Sequence, residues 1–276
     1  MYLTLESVQN NIDDVPDCMQ FSKPHLVKGG CQNMKLLHFE DPLQYISDSL
    51  GELPIDAEIY ERKEDMGHSK IHHKEWMPFR DICDRVVRDE SPYCYLADVN
   101  LVEHKENLGY GFMSQFGLKF DRKRDNVGTL LFVGNNSRSG CHIHSGNDYV
   151  LNQIVGRKVV YMFDYYDNDV DFQGLFSSGS NFTRDNFFRM DHSKMKIYKV
   201  ELEEGDSLTI PPWWFHAVQG VGVSCSVTKT YQRDDWFFLD KPHLLSMILL
   251  EYIEERLDIL LGLLIVLVIL YLHYFL

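Results

Sequence analysis

Two histidine-bearing stretches carry the chemistry of this 276-residue chain. The first is Cys141-His142-Ile143-His144-Ser145-Gly146-Asn147-Asp148. The second, further along, is Gly205-Asp206-Ser207-Leu208-Thr209-Ile210-Pro211-Pro212-Trp213-Trp214-Phe215-His216. Side chains at i and i+2 of a β-strand project to the same side, so His142 and His144 can reach one point from one strand. His216 follows a strand-like run closed by Pro211-Pro212 and can arrive there from a second strand. Three imidazoles with Asp148 close by suit a divalent transition metal, and iron, zinc, nickel and copper are all chemically admissible. The pattern predicts a metal-binding β-barrel that works as an enzyme.

Such a barrel needs many short strands with turns between them, and the second half of the chain supplies them. Strand-like runs cover residues 129–133, 149–155, 158–163, 197–202, 207–210 and 221–231, with Gly134 and Gly156 closing the first two. The first half is mixed. Residues 42–51 have helical spacing and end in Gly51, and Ile55 to Tyr60 alternates like a strand. Pro78 opens a helix with Phe79, Ile82, Val86 and Val87 on one face, and residues 93–97 form a short strand. Acidic residues 164–171 and polar residues 177–186 are expected to be loops, and Trp213 and Trp214 to be packing residues.

The composition is that of a globular protein, 45% hydrophobic, and the length supports a substantial core. A formal charge of −14 repels phosphate backbones, which disfavours nucleic acid as a partner. The six cysteines form no C-x-x-C pair, and the opening residues lack a signal peptide's basic start and apolar run. Free thiols in a reducing compartment are expected.

Residues 259–276 contain no Asp, Glu, Lys or Arg. As a helix they would span about 27 Å, close to the ~30 Å hydrocarbon core of a bilayer. The expectation is a C-terminal tail anchor with the body of the protein on the cytosolic side. A thin membrane such as the endoplasmic reticulum fits best. The competing reading is a helix buried in a dimer interface. Residues 243–257 form an amphipathic helix, expected to pack on the domain or on a second copy. The division expected is 1–240, 241–257 and 258–276.

The chain resembles known families at these motifs. His142-x-His144 with Asp148 and Gly156, then Gly205, Pro211 and His216, looks like the two cupin motifs. A narrower resemblance, to the JmjC and cupin-like hydroxylases that use iron(II) and 2-oxoglutarate, rests on three stretches. They are Ser139 to His144, Gln153-Ile154-Val155-Gly156-Arg157-Lys158, and Ile210-Pro211-Pro212-Trp213-Trp214-Phe215-His216. Lys23 to Gly29 and Tyr93 to Leu96 look like the same family's N-terminal half, so the resemblance covers residues 20 to 235.

It implies a mainly β fold with flanking helices, a double-stranded β-helix of cupin or jelly-roll type. It implies His142 and His216 as iron ligands, and Lys158 as the partner of the far carboxylate of 2-oxoglutarate. Ser139, and more loosely Tyr95 and Thr228, would line the same pocket. The implied activity is a 2-oxoglutarate-dependent dioxygenase that hydroxylates a protein side chain. One position departs: His144 stands where the family carries aspartate, and one extra residue precedes Gln153. Either His144 makes a three-histidine site, or Asp148 restores a two-histidine, one-carboxylate site, or His144 is the first ligand in a shifted register. Two other functions stay open: an inactive scaffold on a membrane, and a three-histidine cupin enzyme that does not use 2-oxoglutarate. Lys158, a cation among Val159, Val160 and Met162, speaks against the latter.

Overall fold

The computed structural model describes residues 2–5, 23–67, 73–101, 103–104, 112, 115, 126–144, 147–164, 182–183 and 185–232. All lie within the compact unit Met1–Arg233. The apolar stretch 259–276, the segment 243–257, residues 165–181, Cys18 and Asp148's neighbours Ser145 and Gly146 lie outside the described residues. No helix among the described residues is long and apolar enough to cross a membrane.

The elements in order are β1 (Tyr2–Thr4), β2 (His25–Val27), α1 (Pro42–Leu50), β3 (Pro54–Tyr60), β4 (His73–Pro78), α2 (Phe79–Arg88), β5 (Tyr93–Asn100), β6 (Asn126–Asn135), β7 (Asn147–Asp164), β8 (Ile197–Leu202), β9 (Ser207–Ile210) and β10 (Trp214–Gln232). The order is that of a mainly antiparallel β domain with two helices, consistent with a jelly roll.

β7 and β10 organise the barrel. They pair antiparallel from Asp164–Trp214 to Asn147–Gln232, and the register jumps between Val221 and Cys225. At the jump Gly156 and Gly222 take φ of 68° and 69°, and a Cβ on Gly156 would lie 2.2 Å from the Val223 carbonyl oxygen. Only glycine fits such a backbone. The jump divides the strand pair between two portions of one ten-stranded sheet. Residues Lys158–Met162 of β7 pair with β8, and β8 with β1. Residues Tyr149–Asn152 pair with β9, and Val223–Tyr231 of β10 pair with β6, which continues through β5 and β3 to β4. The runs 149–155 and 158–163, expected as two strands, are therefore one strand turned at Gly156.

The two portions share an apolar cluster. Leu151, Leu208 and Ile210 of one pack with Val160, Met162, Val200 and Leu202 of the other. The outer face of β6 and β10, with Leu131, Val133, Cys225 and Val227, is covered by Ile46 of α1 and Phe79, Ile82 and Val86 of α2. Asp41 caps α1 by accepting the Gln44 N–H at 2.9 Å, with Pro42 in the first turn. The expected inner face of α2 needs one correction. Cys83 is buried there, whereas Val87 is 57% exposed. At eight residues from Phe79, Val87 lies on the edge of a stripe that turns to solvent.

Candidate metal centre

The first histidine segment is joined to β10 by a narrow pair of backbone hydrogen bonds. The His142 N–H donates to the His216 carbonyl at 3.0 Å, and the His216 N–H returns to His142 at 2.9 Å. Ser139 N–H to Val218 and Gly220 N–H to Ser137 extend the seam. Residues directly opposite present their side chains on one face, so the His142 and His216 rings lie 4.2 Å apart. Two residues on, His144 turns to that face again, 4.7 Å from His142 and 5.0 Å from His216. One ring nitrogen from each lies within 4.8 Å of the others. A metal with ~2.1 Å nitrogen bonds holds its donors about 3–3.5 Å apart. His142 Nε2 and His144 Nε2, at 3.1 Å, already meet this, and small side-chain adjustments bring in the third.

Hydrogen bonds fix which nitrogens are available. His142 Nδ1 lies 2.8 Å from the Gly140 carbonyl and His216 Nδ1 3.2 Å from that of Trp214. A carbonyl only accepts, so both Nδ1 atoms carry protons and both Nε2 atoms keep lone pairs toward the centre. Burial pushes all three imidazoles below the ordinary histidine range. Mutual repulsion adds to this at His144 and His216, while Gly140 and Asp98 oppose it at His142. All three are neutral at pH 7, as metal ligation requires. Tyr149 stacks on His144 at 3.7 Å and 15°, and Phe182 on His142 at 5.0 Å. The donor set fits a divalent metal. Cys141 is buried with its thiol pushed up by burial, and the Thr183 N–H bonds its carbonyl.

The convergent group consists of His142, His144 and His216 and does not include Asp148. Asp148 is buried at the start of β7, opposite Tyr231. Its neighbour Tyr149 faces His144, and strand alternation turns Asp148 to the other side. A carboxylate that sequence reasoning missed approaches the centre instead. Asp98 sits at an irregularity in the β5–β6 pairing, between Leu96 and Val99, with φ of 56°. Its side chain is open to solvent, yet surrounding protein raises its carboxyl, with His142 and Lys74 pulling the other way. The only signal in the sequence was an aspartate interrupting the strand that begins at Tyr93.

Lys158 is 3% exposed and pairs with Gly220, four residues along β7 from Met162, the partner of His216. With a period of two, Lys158 and Met162 share a face. Lys158 Nζ donates to Ser226 Oγ across the barrel and lies 5.4 Å from the centre of the Phe132 ring. Burial pushes the amine down to about 8. Tyr95 is buried with Tyr60, Met66 and Phe132, Thr228 is buried opposite Leu130 and Leu151, and Ser139 Oγ accepts the Val218 N–H at 2.9 Å. Ser226 was not foreseen, because the turn at Gly156 is what brings it to Lys158. Trp213 and Trp214 are buried, as expected of packing residues, and the five described cysteines are free and buried.

The model of the cupin-like domain matches residues 16–235. The chain belongs to the cupin-like domain family. Among solved structures, the X-ray structure of Escherichia coli ycfD is similar to this cupin-like chain. The TM-score is 0.50 and the identity 17%, over 91% of this chain. The match spans only 58% of the ycfD chain, and at this identity it speaks for the fold. No curated protein matches the sequence. A cupin-like domain with a three-histidine cluster is consistent with a metal-dependent, oxygenase-type enzyme.

Proposed function

We propose that this cupin-like protein is an iron(II)- and 2-oxoglutarate-dependent hydroxylase acting on a protein side chain. Lys158 carries the reading. A lysine buried among neutral groups costs several kcal/mol unless an anion comes to it, and this one shares the inner face with the histidines. A dicarboxylate that reaches from a metal to a cation fits the pair.

His142, His144 and His216 hold the iron, with Gly140 and Trp214 fixing two of the rings. With the cosubstrate bound, the iron supplies oxygen activation: 2-oxoglutarate, dioxygen and a C–H bond become succinate, carbon dioxide and an alcohol. Lys158 anchors the far carboxylate. Val160, Met162 and Leu151 keep water from the passage between cation and metal. Asp98 adds a negative charge that interacts with the His142 ring. The apolar stretch 259–276 holds the domain on a membrane, and its release by alkaline carbonate extraction would count against that placement.

The test of the enzyme reading is metal analysis of the purified protein followed by an assay for succinate release. Succinate formed only with iron(II) and dioxygen, and lost in Lys158→Ala, is the expected result. A second reading, a three-histidine cupin enzyme without 2-oxoglutarate, is favoured by His144 alone, since it leaves the ligand set without a carboxylate. Metal bound at the histidines, with no 2-oxoglutarate binding and no effect of Lys158→Ala, would select it.

A further inference from the structure

The three histidines are not held alike. His142 and His216 each rest Nδ1 on a main-chain carbonyl, that of Gly140 and that of Trp214. Among the described residues no hydrogen bond reaches Nδ1 of His144. Its ring bonds through Nε2, 3.1 Å from Nε2 of His142. His142 Nε2 carries a lone pair, so in the metal-free protein the proton of that contact sits on His144 Nε2. A nitrogen must be deprotonated before it can ligate. His144 is therefore the ligand that changes tautomer on metal binding, Nδ1 taking the proton, and no carbonyl steadies its ring during the change.

The main chain of His144 is fixed by another device. Its carbonyl accepts the Trp213 N–H at 3.0 Å, and Trp213 holds a φ of 68°, a backbone that residues other than glycine seldom adopt. That bond leaves the side-chain torsions of His144 free. The ring closest to the imidazole is that of Tyr149, 3.7 Å away between centres and parallel to within 15°. Tyr149 is itself anchored. It pairs with Ile210 of β9 and Thr230 of β10 and packs on the cluster of Leu151, Leu208 and Ile210. A residue of a central strand thus sets the ring plane of a ligand that stands outside the strands. The stack also has a charge preference. A bound cation draws electron density from the imidazole, and the negative face of a tyrosine ring attracts the positive ring that results. The contact is stronger with metal than without. Phe182 on His142 is the looser case, 5.0 Å at 29°, against a ring that Gly140 already fixes.

We propose that Tyr149 is the positioning residue of the third metal ligand, its ring holding the His144 imidazole in the plane that aims Nε2 at the ion. The assignment rests on the reading of the three histidines as a metal centre and holds whichever reaction that centre performs. It makes the three-histidine character of the site a property of His144 and Tyr149 together.

The test is titration of the metal-free full chain with cobalt(II), followed by visible absorption, in the wild type, Tyr149→Phe, Tyr149→Leu, His144→Ala and the variant carrying both Tyr149→Leu and His144→Ala. Tyr149→Phe keeps the ring and should bind as the wild type does. Tyr149→Leu should bind about tenfold more weakly, with its visible band moved to that of His144→Ala. On top of His144→Ala, Tyr149→Leu should cost nothing more, since the two residues act as one unit. If Tyr149→Leu binds as tightly as the wild type and with the same band, the positioning role is wrong and the metal centre stands. If it weakens cobalt equally with and without His144, the tyrosine acts through the fold and the proposal is again wrong. If Tyr149→Phe is as weak as Tyr149→Leu, the hydroxyl and not the stack is responsible, which also overturns it. If the wild type binds no cobalt, the metal reading falls and takes the proposal with it.

Discussion

Replacing Lys158 with methionine keeps the length of the side chain and removes the charge. The burial that moves the amine from 10.5 to about 8 is equivalent to about 3 kcal/mol, at ~1.4 kcal/mol per tenfold. The ligand-free Lys158→Met variant should therefore be more stable than the wild type at pH 7, by up to about 3 kcal/mol. The lost Ser226 hydrogen bond and Phe132 contact subtract from that figure. The pH dependence has a definite sign. The folded amine releases its proton near 8 and the unfolded one near 10.5. Between these values the unfolded chain binds more protons, so wild-type stability rises with pH and the variant's advantage closes. Urea unfolding of both proteins from pH 7 to 10.5 measures the gap. A second arm adds 2-oxoglutarate and metal, which at a hundredfold excess over Kd should stabilise the wild type by about 2.7 kcal/mol and the variant hardly at all. A variant less stable than the wild type without ligand, and stabilised equally by 2-oxoglutarate, would refute the reasoning.

Alanine at His142 or His216 should abolish stoichiometric cobalt(II) binding, read from its visible absorption, while leaving far-UV circular dichroism unchanged. The metal-free protein should lose stability as pH falls below 6.5, because all three folded imidazoles resist protonation below that value whereas unfolded ones do not; thermal unfolding from pH 8 to 5 measures it. Asp98→Asn removes a carboxylate that attracts charge to His142 and should weaken metal about tenfold, measured by competition with a chelator. Gly156→Ala, with φ of 68° and the Val223 oxygen at 2.2 Å from its Cβ, should cost at least about 2 kcal/mol in urea unfolding.

Period-two alternation and glycine punctuation made the strands legible, and the i, i+2 spacing of His142 and His144 announced a shared face. His216 could be joined to them because motif order implied a second strand. What remained hidden depends on the turn at Gly156. A strand read as two short pieces gives no reason for Lys158 to touch Ser226, or for Tyr149 to lie against a ring that also neighbours His216. Asp98 was hidden for another reason. Its approach to His142 follows from a local irregularity of β5 at positive φ, which residue types do not announce. The choice between His144 and Asp148 turned on alternation within the start of β7, where one residue of register exchanges the two faces.

The thiol of Cys141 is a built-in clock for the metal-bearing segment. It is one residue from His142, on the opposite face, 1% exposed, with burial holding it in the unreactive thiol form. Alkylation there requires the stretch from Arg138 to His144 to leave its seam on β10, so the rate of labelling at that one position counts how often two ligands part from the third. Occupancy of the site ties those ligands together and must slow the count, which makes the residence of the metal readable by mass spectrometry without a spectroscopic handle on the ion.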